Sequence, residues 1–149
     1  VRLARWPIDG AATITSGYGV RVHPVTGETR HHNGIDLAVP VGTPVRAAQG
    51  GYVHAVDTVG AGVAGYWVRL VHGAGEGEST LTWTTYCHLS EVSVVQGQPV
   101  RAGDVVGLSG GAKGAPGAGR STGPHLHFSV WEGVSARRDV DPLLHLPML

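Results

Sequence analysis

The stretch His125-Leu126-His127-Phe128-Ser129-Val130 constrains this chain more than any other, because polar and apolar side chains alternate residue by residue. A period of two belongs to a β-strand with one buried face. Leu126, Phe128 and Val130 then enter a core, while His125 and His127 share the opposite face, about 6.6 Å apart along the strand. Two imidazoles on one face bind a metal, flank one, or stand as solvated surface histidines. The rest of the chain decides between these readings.

Glycine is dense, 24 of 149 residues, with 9 prolines, and no three-residue period orders them. That density predicts many tight turns and few long helices. Between the turns lie short runs of β-formers: 44–47, 51–56, 66–72, 81–89, 105–108 and 125–131. Residues 6–24 read as a lead-in segment with a turn at Ser16-Gly17-Tyr18-Gly19, followed by an irregular loop through His23, Pro24 and Gly27. The 110–123 stretch is a long Gly/Ala/Ser loop. The expectation is an all-β domain of about seven or eight short strands, a compact antiparallel sheet or sandwich with long Gly-rich loops around a cleft. It spans 1–149 as a single domain with its core at about 14–142. His54 and His72 read as strand-edge or surface histidines.

A 42 % hydrophobic fraction supplies a normal core. Formal net charge is +0 with His neutral and no charge run stands out, which disfavours nucleic acid and anionic membranes as partners. No apolar run of 18 residues suggests membrane insertion. The single cysteine, Cys87, excludes an intrachain disulfide. The chain begins at Val1, with no initiator methionine and no visible targeting segment, which reads as a processed protein or an excised domain.

His32 and Asp36 are four residues apart, but Gly34 between them and Pro40, Gly42 and Pro44 beyond disfavour a helix. Fully extended, four residues span about 13 Å, whereas two ligands of one zinc place their donors within about 4 Å. The backbone must therefore bend, and Asn33-Gly34 is where it can. Asp36 then opens a strand between apolar Ile35 and Leu37, where a carboxylate is costly unless paired or coordinated. His31 competes with His32, but neighbours in a strand face opposite ways, so only one of them coordinates. In the 81–89 strand, alternation places Thr84, Tyr86 and His88 on one face and Thr85, Cys87 and Leu89 on the other. Cys87 and His88 thus make a poor nucleophilic pair. Cys87 reads as a small buried hydrophobe, and His88 stays a site residue. His32, Asp36 and one of the paired histidines give two nitrogens and one oxygen, leaving a fourth position open, as at a catalytic zinc.

With these motifs in place, the chain resembles the lysostaphin/LytM-type zinc metallopeptidases of peptidase family M23, which cut peptide crosslinks of bacterial cell walls. The resemblance rests on His32-x-x-x-Asp36, His125-x-His127 and Tyr86-x-His88-Leu89 in that order. The flanks Ser16-Gly17-Tyr18-Gly19-x-Arg21, Gly34-Ile35-Asp36-Leu37-Ala38, Gly42-Thr43-Pro44-Val45 and Ser121-Thr122-Gly123-Pro124 also match. The resemblance implies one zinc held by His32, Asp36 and His127, with His88 and His125 as catalytic histidines. It implies peptidoglycan stem and crosslink peptides as partners, and action at the cell envelope, in the periplasm or outside the cell, including as a phage-encoded lysin. A monomer is expected.

Some members carry a Tyr shortly before the first zinc histidine that contacts the oxyanion, whereas Thr26-Gly27-Glu28 supplies none here. The 73–79 and 110–123 loops are expected to border the cleft. A second reading is a non-catalytic LytM-like domain that binds cell wall or activates another hydrolase. Such relatives typically lose zinc ligands, and this chain keeps all three together with both accompanying histidines.

Overall fold

The computed structural model of the chain describes residues 2–11, 13–73, 81–135 and 138–148. Its strands in chain order are β1 (Thr13–Ser16), β2 (Gly19–Val22), β3 (Thr29–His32), β4 (Ile35–Ala38), β5 (Pro44–Arg46) and β6 (Gly51–Asp57). They continue with β7 (Tyr66–His72), β8 (Thr82–Val92), β9 (Pro99–Val100), β10 (Val105–Ser109), β11 (Leu126–Glu132) and β12 (Arg138–Val140). A single 3₁₀ turn, Pro142–Leu144, follows. The fold is all-β, as the Gly-punctuated pattern predicts.

Ten strands form one antiparallel sheet whose main path runs β1-β4-β11-β8-β7-β6-β9. β10 pairs with β5 and β8, and β12 lies against β11. β2 and β3 form a separate hairpin. Thus the lead-in and the loop after it, read from sequence as irregular, contain β1 and this hairpin. The hairpin strands are mostly exposed, so the alternation that marks a half-buried strand is missing from them. β12 is equally short and half-exposed.

One face of the sheet carries the core. Ile35 and Leu37 of β4, Val68 and Leu70 of β7, Tyr86 of β8 and Leu126, Phe128 and Val130 of β11 are all fully buried. The other face of these central strands forms a cleft lined by Asp36, His127, Ser129, Trp131, Thr85, Cys87, Trp67 and Arg69.

The core face also holds a closed polar relay. The Ala48 N–H donates to the Tyr86 hydroxyl oxygen at 3.0 Å, and that hydroxyl meets Thr84 Oγ1 at 2.9 Å. Thr84 Oγ1 lies 2.8 Å from His72 Nε2, and His72 Nδ1 lies 2.7 Å from the Gly50 carbonyl. A carbonyl only accepts, so Nδ1 carries the proton and Nε2 accepts from Thr84. Every member is satisfied, which is what makes burial of four polar groups tolerable. His72 is therefore interior, 1 % exposed, rather than a surface histidine. Burial pushes its pKa down, against the Gly50 hydrogen bond, and keeps it neutral. His54 is exposed on the other face of β6, edge-on to Trp83.

Candidate metal centre

The centre is built where β4 and β11 pair. Register sets Asp36 directly opposite His127, and Cys87 of β8 opposite His127 on its other side. His32 closes β3 and reaches the same point because the chain turns back at Asn33-Gly34 between β3 and β4. Gly34 is required there by proximity. A Cβ at that position would lie 2.3 Å from the Phe128 carbonyl oxygen.

His32 Nε2 lies 3.2 Å from His127 Nδ1 and 3.4 Å from Asp36 Oδ1, and His127 Nδ1 lies 2.9 Å from Asp36 Oδ1. Bonds of about 2.0–2.2 Å to a tetrahedral zinc separate donors by roughly 3.3 Å. The three atoms therefore already stand near the corners of one tetrahedral face, and the His₂Asp donor set suits a borderline ion with an open fourth position. His31, the neighbour in β3, turns away: its Nε2 lies 3.0 Å from Asp139 Oδ1, and its ring packs edge-on against Tyr18.

Hydrogen bonds fix which nitrogen each ring offers. His32 Nδ1–H donates to the Gly17 carbonyl at 2.8 Å, leaving Nε2 for the centre. His127 Nε2–H donates to Asn33 Oδ1 at 2.8 Å, leaving Nδ1. In the sequence Asn33 reads as a turn residue beside His32, and its reach to His127 exists only because of that turn. Burial alone would raise the Asp36 carboxyl, yet when the facing nitrogens of His127 and His32 also carry protons, their hydrogen bonds outweigh it and hold the group well below the usual carboxylate range. The Asp36 hydrogen bond in turn raises His32, against the cost of burial.

His88 and His125 stand beside this centre with ring centroids 4.8 Å apart. His125 Nε2 lies 3.7 Å from Asp36 Oδ1, while its Nδ1–H donates to the Gly123 carbonyl at 2.8 Å. His88 Nδ1–H donates to the Ala118 carbonyl at 2.8 Å. Both rings thus turn Nε2 to the cleft, a lone pair in the neutral imidazole. The 110–123 loop supplies both carbonyls, so it borders the site as expected. The 74–80 part of the other loop lies outside the described residues. Burial lowers His88 to about 4, with the Ala118 carbonyl opposing, so its ring is neutral near pH 7.

β8 departs from strict alternation, which places His88 beside Tyr86 and opposite Cys87. Instead Tyr86 is in the core, and both Cys87 and His88 line the cleft. The cause is a bulge. Tyr66 and Val68 of β7 face Leu89 and Tyr86 of β8, so β8 holds one extra residue, and His88 takes a left-handed φ of 60°. Its N–H donates outside the ladder, to the Ala64 carbonyl at 2.9 Å. Cys87 remains a protonated thiol despite its place, because burial pushes it up to about 12.

A fold that brings two histidines and an aspartate together from β3, β4 and β11 defines a metallopeptidase-like centre, and comparison with known proteins agrees. The Peptidase family M23 model matches residues 30–142, and the chain belongs to that family. It is 40 % identical over 127 residues to peptidoglycan DD-endopeptidase ShyA of Vibrio cholerae, covering 85 % of this chain and 26 % of that protein. The crystal structure of a zinc containing peptidase from Vibrio cholerae superposes with a TM-score of 0.78 at 37 % identity, covering 99 % of this chain and 41 % of the other. The catalytic domain of lysostaphin, an antimicrobial peptidase from Staphylococcus simulans, gives 0.68 at 30 % identity, covering 89 % and 90 %. The chain spans about a quarter of the length of the curated relatives it matches.

Proposed function

We propose that this chain is a zinc-dependent endopeptidase acting on the peptide crosslinks of bacterial peptidoglycan, with 1–149 as one catalytic domain. The carrying observation is that three donor atoms with tetrahedral spacing share a cleft with two imidazoles whose Nδ1–H groups are held by backbone carbonyls, turning Nε2 to the cleft. His32, Asp36 and His127 would hold the metal, and zinc held there would supply Lewis-acid polarisation of the scissile carbonyl and acidify water from a pKa of 15.7 toward about 7.

The chain's own residues do the rest. His88 and His125 form the proton-handling pair. An Nε2 lone pair takes the proton from the attacking water, and the resulting N–H supports the developing oxyanion or protonates the leaving amine. Tethering of both Nδ1–H groups to backbone carbonyls keeps the rings from rotating this lone pair away. No Tyr fills the oxyanion role from Thr26-Gly27-Glu28, so the two histidines carry that role between them. Trp67 and Trp131 wall the cleft for an extended peptide.

The direct D-Ala–diaminopimelate crosslink is favoured over a glycine bridge, supported by the similarity to a DD-endopeptidase. Such a substrate sets the place of action at or outside the cell envelope. A wall-binding or hydrolase-activating role without catalysis fits less well, since it gives the buried His₂Asp set no task. The test is metal analysis joined to mass spectrometry of muropeptides released from walls of both crosslink types. His32→Ala, Asp36→Ala and His127→Ala are expected to lose both zinc and activity. One zinc per chain surviving any of these changes overturns the ligand set, and no released peptides from the zinc-loaded chain overturns the activity.

A further inference from the structure

One row along the sheet from His127 and Cys87, the cleft floor reads Ser129 of β11, Thr85 of β8 and Arg69 of β7, side by side. Arg69 is the one permanently charged cation among the described residues lining the cleft, and Asp36 is the one carboxylate. Its guanidinium carbon lies 5.5 Å from the centroid of the Trp67 ring, and its Nε donates to Thr85 Oγ1 at 3.4 Å. No carboxylate among the described residues pairs with it, and its two terminal nitrogens have no hydrogen-bond partner there. A half-buried guanidinium placed over an aromatic ring, with its terminal fork of donors unengaged among the described residues, suits a planar anion.

We propose that Arg69 anchors a free carboxylate of the substrate peptide and so forms a specificity subsite beside the reacting bond. The inference rests on the peptidase reading above and names what the cleft selects. Two strand spacings and one row separate the backbones of Arg69 and His127, about 12 Å. The Arg side chain shortens that gap, so the anchored group lies within two or three residues of the scissile bond along an extended peptide. On a stem containing diaminopimelate, the free carboxylate of the diamino acid and the C-terminal carboxylate of a terminal alanine are such anions close to the crosslink. An internal glycine bridge offers none. Asp36 does not pair with Arg69 among the described residues; its Oδ1 is held by His32 and His127.

The experiment measures binding of synthetic diaminopimelate tetrapeptides by calorimetry. One peptide is unmodified, one is amidated at the diamino acid, one at the C-terminus and one at both. The proteins are the zinc-loaded chain, Arg69→Gln and Arg69→Lys, each checked for an unchanged melting midpoint. The unmodified chain is expected to bind the free peptide about 10–100-fold more tightly than the doubly amidated one. Arg69→Gln removes that difference and Arg69→Lys keeps part of it. The single amidation that abolishes the Arg69 dependence identifies which carboxylate is held. With crosslinked dimers the loss appears in KM more than in kcat. Equal affinity for free and doubly amidated peptides on the unmodified chain overturns the subsite, as does an equal loss on all peptides in Arg69→Gln. Discriminating binding without cleavage sustains the subsite and removes the peptidase reading. Cleavage of free and amidated substrates alike does the reverse.

Discussion

Gly34→Ala is a one-methyl change that reports on the whole geometry of the metal centre. Gly34 lies midway between His32 and Asp36, and an added Cβ would stand 2.3 Å from the Phe128 carbonyl oxygen, 2.9 Å from its carbon and 3.0 Å from Ser129 Cβ. Ordinary contact begins near 3.4 Å, so the turn and β11 must part by about 1 Å. Two of the three nearest atoms are backbone, and no side-chain rotation relieves them. Phe128 neighbours His127, and Ile35, which follows Gly34, pairs with Phe128 in the β4–β11 ladder. The displacement therefore acts on the Asp36–His127 separation, where a metal site tolerates only about 0.2 Å in its bond lengths. Overpacking of this kind costs about 1–3 kcal/mol, or a fall in melting midpoint of roughly 2–12 °C for a chain of this size. Calorimetric titration with zinc should show an affinity loss of at least about 10-fold, and a chelator-treated sample should still melt early. A variant that melts and binds zinc like the parent would refute the close approach and the turn geometry on which the ligand set depends.

His88→Ala and His125→Ala are expected to retain one zinc per chain while turnover falls about 10²–10⁴-fold; near-normal wall lysis by either would remove that ring from the mechanism. Because His88 sits at φ 60°, His88→Gly should be more stable than His88→Ala by about 1 kcal/mol, and equal urea midpoints would count against the bulge. Tyr86→Phe leaves the Ala48 N–H without its acceptor and Thr84 without its donor, so about 1–3 kcal/mol should be lost in urea unfolding; an unchanged midpoint would contradict the relay. His72 is depressed below its ordinary 6.5 in the fold, so as pH falls below about 6.5 the unfolded chain gains a proton that the folded chain refuses, and stability drops. His72→Gln should show a shallower decline than the parent between about pH 7.5 and about pH 5, and parallel declines would show that His72 does not titrate on unfolding.

Sequence by itself determined the β-class and the strand spans around the cleft, and it proposed the residues that converge there. These rest on local physics. Alternation in 125–131 identifies a half-buried strand, and the Gly and Pro spacing forbids long helices. His32 and Asp36 cannot share an ion unless the chain bends at Asn33-Gly34. The tertiary structure decided what depends on partners far along the chain. Asn33 locks the tautomer of His127, 94 residues away. His72 is an interior member of a relay rather than a surface residue, because Gly50 and Thr84 meet its two ring nitrogens and Tyr86 continues the chain from Thr84. His88 reaches the cleft only through a bulge. A strand pattern predicts faces by counting residues, whereas a bulge changes the count, and it is set by the pairing of β8 with its neighbours rather than by its own sequence.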